Sequence, residues 1–167
     1  MSVLQILLWP DPRLSQVCAP VGEISADIRQ LADDMLETMY AAPGRGLAGP
    51  QIGAMIRLFV MDTTWKDGER NPRIFINPEI RETGSDLVTQ DEGCLSLPGV
   101  SAGVARPGRV RLAWHDLTGA AQDAWFEGFE AACVQHELDH LDGRVTLDHL
   151  DPSARARLLQ EYAGASL

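Results

Sequence analysis

The chain has 167 residues, enough for one domain with a substantial core and hardly enough for two. Apolar residues make up 45% and charged residues 23%, the balance of an ordinary globular protein. A net charge of −10 argues against a nucleic-acid-binding surface, which needs clustered Lys and Arg.

Residues about 1–24 read as an irregular arm, punctuated by Asp11-Pro12 and Ala19-Pro20. The opening Met1–Pro10 has no basic n-region, and its apolar run is too short for a signal peptide or a membrane span. Cys18, Cys94 and Cys133 are odd in number and too few for a disulfide framework, which suits a reducing compartment. Cytoplasmic residence, away from membranes, is the expectation.

Ser25 is a good helix N-cap, and Ile28, Leu31, Met35 and Met39 follow at helical spacing. This predicts a helix over Ala26–Tyr40, ended by Pro43 and Gly44. The glycine-rich stretch Gly44–Gly53 lacks the Lys-Ser/Thr pair of a P-loop, and Pro50 removes a backbone donor. It reads as a tight loop that brings backbone close to a ligand. Taken alone, Gln51 at its tip reads as a solvated residue. Strand candidates are Arg57–Met61, Arg73–Asn77, Leu87–Thr89, Arg109–Trp114 and Ala124–Phe126. Asp116–Gly119 has the composition of a hairpin turn. A second helix is expected over Phe129–Leu141, and a short terminal one over about 151–164, with Asp151 as cap and Pro152 at its first position. Helix, strands, then helix is an α+β layout with mostly antiparallel sheets.

The second helix carries Gln135-His136-Glu137-Leu138-Asp139-His140, which contains His-Glu-x-x-His. At roughly 100° per residue, His136 and His140 stand one turn apart on one face, where two imidazoles can grip one metal ion. Glu137 lies beside them, placed to handle the proton of a metal-activated water. Phe129, Ala132, Cys133, His136 and His140 share one side, so the histidines are expected to face inward, where unliganded polar groups are costly. Three sources of a third ligand compete. A third histidine is ruled out, because Thr146 stands in its place after Gly143. Glu161 lies about twenty residues downstream, six from the C-terminus. Cys94, in Glu92-Gly93-Cys94-Leu95-Ser96, could close a tetrahedron opposite the helix. Cys133 lies about 10 Å of axial rise from His140 and reads as a buried apolar thiol. Cys18 reads as packed. His115 and His149 read as ordinary histidines, His149 having no partner at a telling spacing.

Three segments, Gly44-x-Gly46-Leu-Ala-x-x-Gln51, Glu92-Gly-Cys-Leu-Ser96 and Gln135-His-Glu-x-Asp-His140, resemble in order and spacing the signature motifs of peptide deformylases. The arm Ile6–Leu14 also resembles the start of that family. The resemblance covers essentially the whole chain. It implies a small single α+β domain spanning 1–167, with antiparallel sheets packed around a central metal-binding helix. It implies hydrolysis of the N-formyl group from the initiator methionine of new polypeptides. Carried over by motif position, Cys94, His136 and His140 would bind one divalent metal, with Fe2+ native and Zn2+, Ni2+ or Co2+ as alternative occupants. Glu137 would be general base and then acid, and Gln51 would join the backbone N–H of Leu95 in an oxyanion site. Arg45, Gly46, Gly93 and Cys133 would border the substrate. Glu92 and Arg106 would form a buried pair that holds the Cys94 segment. The family's transient ribosome contact has little support here, since Arg155 and Arg157 are the terminal helix's only basic residues.

Some positions depart from the family's pattern. Gly49 stands where a second Ala is usual. Arg45 and Gln90 replace apolar residues near the methionine pocket, and Ser101 replaces bulkier or basic ones. Burying an unpaired guanidinium is too costly, so Arg45 is expected to reach solvent or an acidic partner. These changes keep two alternatives open: an amide hydrolase with altered acyl or side-chain preference, and a metal-binding paralogue with weak or no turnover.

Overall fold

The computed structural model describes residues 2–165, with the side chains of 164 and 165 left aside. The first helix, α1, spans Ala26–Ala41, and the Ser25 side chain accepts from the Ile28 N–H as its cap. Seven strands follow: β1 Gly46–Ala48, β2 Leu58–Met61, β3 Arg73–Thr83, β4 Leu87–Cys94, β5 Leu97–Pro107, β6 Arg109–His115 and β7 Ala121–Glu127. Helix α2 spans Gly128–Leu141, and α3 spans Pro152–Ala165, with Asp151 Oδ1 accepting from the Ala154 N–H.

The strands form an antiparallel five-stranded sheet, ordered β1-β2-β3-β6-β7, and a separate β4–β5 hairpin. The Asp116–Gly119 turn joins β6 to β7, as its composition predicts. Two strands were not legible. β1 has only three residues, and β5 carries Pro98, Gly99, Gly103 and Pro107, which read as turn residues. A strand of a two-stranded hairpin tolerates them, because one side has no ladder to lose. β3 also runs well beyond its apolar start into exposed residues, whereas β4 starts exposed and runs on to buried Glu92 and half-buried Cys94.

Helix α2 lies between the sheet and the hairpin. Ala131, Val134, Leu138 and Leu141 pack onto Phe59, Phe75, Leu112 and Phe126 of the sheet. Phe59 and Phe75 stack with centroids 4.4 Å apart. The side holding Phe129 and His136 turns away from this core, and Cys133 stands at the boundary, packed against it. This side lines a cleft, and Phe129 at its outer end is 48% exposed. Burial on two sides hides the stripe that would tell core from cleft. Gln135 Nε2 donates to Pro107 O and Ala131 O, both at 2.9 Å, tying α2 to the end of β5. At the other end Arg57 donates to Leu141 O at 3.0 Å, a cation where the last carbonyls of a helix attract one. No helix among the described residues is long and apolar enough to cross a membrane.

Candidate metal centre

One turn of α2 presents His136 and His140, and the end of β4 presents Cys94 across from them. The Cys94 Sγ and one ring nitrogen of each histidine lie within 4.8 Å of one another. The two Nε2 atoms are 3.3 Å apart, and Cys94 Sγ is 3.5 Å from His140 Nε2. A tetrahedral ion with bonds of about 2.0–2.1 Å to nitrogen and about 2.3 Å to sulfur has N···N edges of about 3.4 Å and S···N edges of about 3.6 Å. The donor set thus fits a metal in both chemistry and spacing. Among the described residues no other group of three such side chains converges in this way. Glu161 is exposed on α3 and takes no part.

Behind the donors lies a buried charged lattice. Glu92 Oε1 is 3.0 Å from His136 Nδ1, and both Glu92 oxygens accept from Arg106, at 2.7 and 3.0 Å. A carboxylate accepts, so His136 Nδ1 carries the hydrogen and Nε2 keeps its lone pair for a metal. The expected Glu92–Arg106 pair is therefore present, and it extends further. Arg106 Nη1 donates to Asp139 Oδ2 at 2.8 Å, and His149 Nε2 donates to the same oxygen at 2.7 Å. The reading of His149 as partnerless is wrong, since chain distance hid a contact that only the fold makes. Burial disfavours charge on both rings of the motif. His140, which also faces His136 and Arg106, is driven well below its ordinary value. His136 is held well above it by its hydrogen bonds to Cys94 and Glu92.

Glu137 is 2% exposed at the wall of the cleft. Burial pushes its carboxyl up to about 7, with His136 pulling the other way. Gly46 makes room for it, since a Cβ there would stand 2.8 Å from Glu137 Oε2. Gln51 is 1% exposed and not the solvated tip that its loop setting suggests. Its Oε1 accepts from the Ala48 N–H at 2.9 Å, which turns the amide NH2 toward Ser96 Oγ at 3.0 Å and Cys94 Sγ at 3.6 Å. Nothing in the motif around Ser96 assigns that residue a role. Its hydroxyl becomes meaningful only once Gln51 is seen to be buried.

The cleft has a volume of about 730 Å³, and Arg45, Gly46, Gln51, Gly93, Leu95, Cys133, His136 and Glu137 all line it. Cys133 is half-buried, packed against the core on one side and lining the cleft on the other, with its Sγ 4.0 Å from Arg45 O. Arg45 lies over the Phe129 ring at 5.3 Å and near exposed Asp67 at 3.8 Å, the acidic partner its charge calls for. Gln90 donates to Gly128 O at 3.1 Å, which ties one wall of the cleft to the start of α2. Ser101 lies outside the cleft and donates to Asp91 Oδ2 at 2.9 Å. A Cβ at Gly49 would stand 2.5 Å from Ala54 O, so this loop is folded too tightly for the alanine usual there.

The family model described as polypeptide deformylase matches residues 3–156. The peptide deformylase of Afipia carboxidovorans is 43% identical over 166 residues, covering 99% of this chain and 97% of the relative. Among solved structures, a peptide deformylase from Legionella pneumophila superposes with a TM-score of 0.93 at 34% identity, covering 99% of this chain and 96% of that one. The Ehrlichia chaffeensis peptide deformylase in complex with actinonin gives 0.90 at 38% identity, with 96% of both chains covered. With sequence and fold in agreement over nearly its full length, the chain belongs to the polypeptide deformylase family.

Proposed function

We propose that the chain, acting as one catalytic domain over residues 1–167, hydrolyses the N-formyl group from N-formyl-methionyl peptides. The observation that carries this reading is the convergence of Cys94, His136 and His140 beside the buried carboxylate of Glu137. Cys94, His136 and His140 would hold one divalent metal. Bound there, the metal supplies Lewis acidity that brings the pKa of water toward neutrality.

The chain's own residues do the rest. Glu137 takes the proton of the attacking water as its oxygen bonds to the formyl carbon. Negative charge then grows on the formyl oxygen, and the Gln51 amide and the Leu95 N–H donate to it. Glu137 returns its proton to the departing nitrogen as the C–N bond breaks, leaving formate and a free amino terminus. A carboxyl near 7 is suited to both transfers. Gly46, Gly93, Arg45 and Cys133 border the bound peptide.

A thiolate ligand lowers the net charge of the centre and favours softer ions, which supports Fe2+ as the native metal and Zn2+, Ni2+ or Co2+ as substitutes. Residence in the cytoplasm is consistent with three free cysteines. Altered side-chain preference is favoured by Arg45 and Gln90 at the cleft.

Anaerobically prepared, metal-loaded protein should release formate from formyl-Met-Ala-Ser and leave acetyl-Met-Ala-Ser untouched. Absence of formate, or equal cleavage of both peptides, would contradict the reading.

A further inference from the structure

Arg106 lies between the hairpin and α2 with both ends of its guanidinium engaged, by Glu92 on one side and Asp139 on the other. Asp139 Oδ2 also accepts from His149 Nε2, and Glu92 Oε1 also accepts from His136 Nδ1. Five side chains thus form one continuous hydrogen-bonded line. It starts at the turn Thr146–His149 and ends on a ring of the metal centre. Its first member touches none of the metal donors.

We propose that His149 is a positioning residue for the metal centre, acting through Asp139, Arg106 and Glu92 to fix the ring of His136. The proposal rests on the metal-centre reading given above. Asp139 sits on α2 between the two histidines, and its carboxylate competes with Glu92 for one guanidinium. The hydrogen from His149 satisfies part of that carboxylate's capacity and fixes its rotamer. Without it, Asp139 depends on Arg106 alone. The guanidinium is then free to shift toward Asp139 and loosen its two-bonded grip on Glu92. Glu92 in turn loses the plane in which it accepts from His136. Outer partners of this kind set ring orientation and ligand basicity. If His149 merely packs, by contrast, its replacement lowers stability and leaves the metal's surroundings unchanged.

The test uses full-length protein loaded with Co2+. It reads the visible ligand-field spectrum and the rate at which cobalt passes to a chelator. His149→Phe keeps a ring but has no donor. His149→Gln restores a donor at the reach of Nε2. Cobalt release should be about 10-fold faster in His149→Phe, at the low end for outer-shell partners, with shifted bands. His149→Gln should recover most of both changes. In an Asp139→Ala background, which removes the acceptor, the Phe change should add nothing, because its route is already cut. If Phe cannot be accommodated, His149→Asn, whose donor falls short, should behave as Phe is expected to. Unchanged release and spectrum in the donor-less variant, equal effects of Phe and Gln, or full additivity with Asp139→Ala would overturn the proposal. Wild-type protein that fails to hold stoichiometric cobalt would instead sink the metal centre itself.

Discussion

At the scale of single residues, Glu137 and Arg45 make opposite demands on their surroundings. Glu137 is buried and, in the proposed reaction, carries the proton without binding metal, so Glu137→Gln should leave metal content intact. It should lower kcat by at least the roughly 10²–10⁴-fold of one acid–base group, and by more if the group serves two steps. Near-normal turnover in that variant would exclude the proton shuttle. Arg45 keeps its charge at the rim, shared between the Phe129 ring and a loose pair with Asp67. Such a solvated cation is worth about 0.2–1 kcal/mol to an acidic substrate side chain, a factor of up to roughly five in kcat/KM. Formyl-Met-Asp peptides should therefore be modestly preferred over formyl-Met-Lys, less so at high salt and not at all in Arg45→Ile. Equal rates at low salt would show that Arg45 does not tune the substrate.

At the scale of elements, the loop into β1 and the hairpin meet α2 at contacts of different tolerance. A Cβ at Gly44 meets only the flexible end of Leu95, whereas one at Gly46 meets the Glu137 carboxylate at 2.8 Å. Gly46→Ala should lower kcat far more than Gly44→Ala while moving Tm little. Matched activities would show that Glu137 can shift without cost. Arg106→Met leaves Glu92 and Asp139 buried without their cation, a loss of about 3–5 kcal/mol. Metal-free Tm should fall by about 2–4 °C for each of these kcal/mol, and calorimetry of the apo-variant measures it. Much of this layer was legible. The α1 cap, the β6–β7 turn and the Asp151 cap of α3 follow from local signals that the fold keeps. The three side chains that converge were legible as a helical repeat plus a separate thiol. What was hidden depends on contacts distant in sequence: β5 with its prolines and glycines, burial of Gln51 against Ser96, and the link from His149 to Asp139.

At the scale of the whole molecule, the lattice behind the metal couples the centre to acid stability. Burial favours neutral Glu92, yet hydrogen bonds from His136 and Arg106 outweigh it and hold the carboxyl at about 2, against 4.5 ordinarily. A folded-state pKa that is lowered adds stability that is complete above 4.5 and is lost as pH falls toward 2. In metal-free protein, the stability advantage of wild type over Glu92→Gln, read by urea unfolding, should narrow across that window. An advantage that grows on acidification would contradict the assignment. The central proposal is a metal held by one sulfur and two imidazoles, from three donors that converge within 4.8 Å. X-ray absorption of the Zn2+-loaded protein reads that coordination directly. One sulfur at about 2.3 Å and two imidazole nitrogens at about 2.0–2.1 Å are the expected first shell, with the sulfur absent in Cys94→Ser. A wild-type spectrum with no sulfur, or one that Cys94→Ser leaves unchanged, would contradict a centre built on Cys94, His136 and His140.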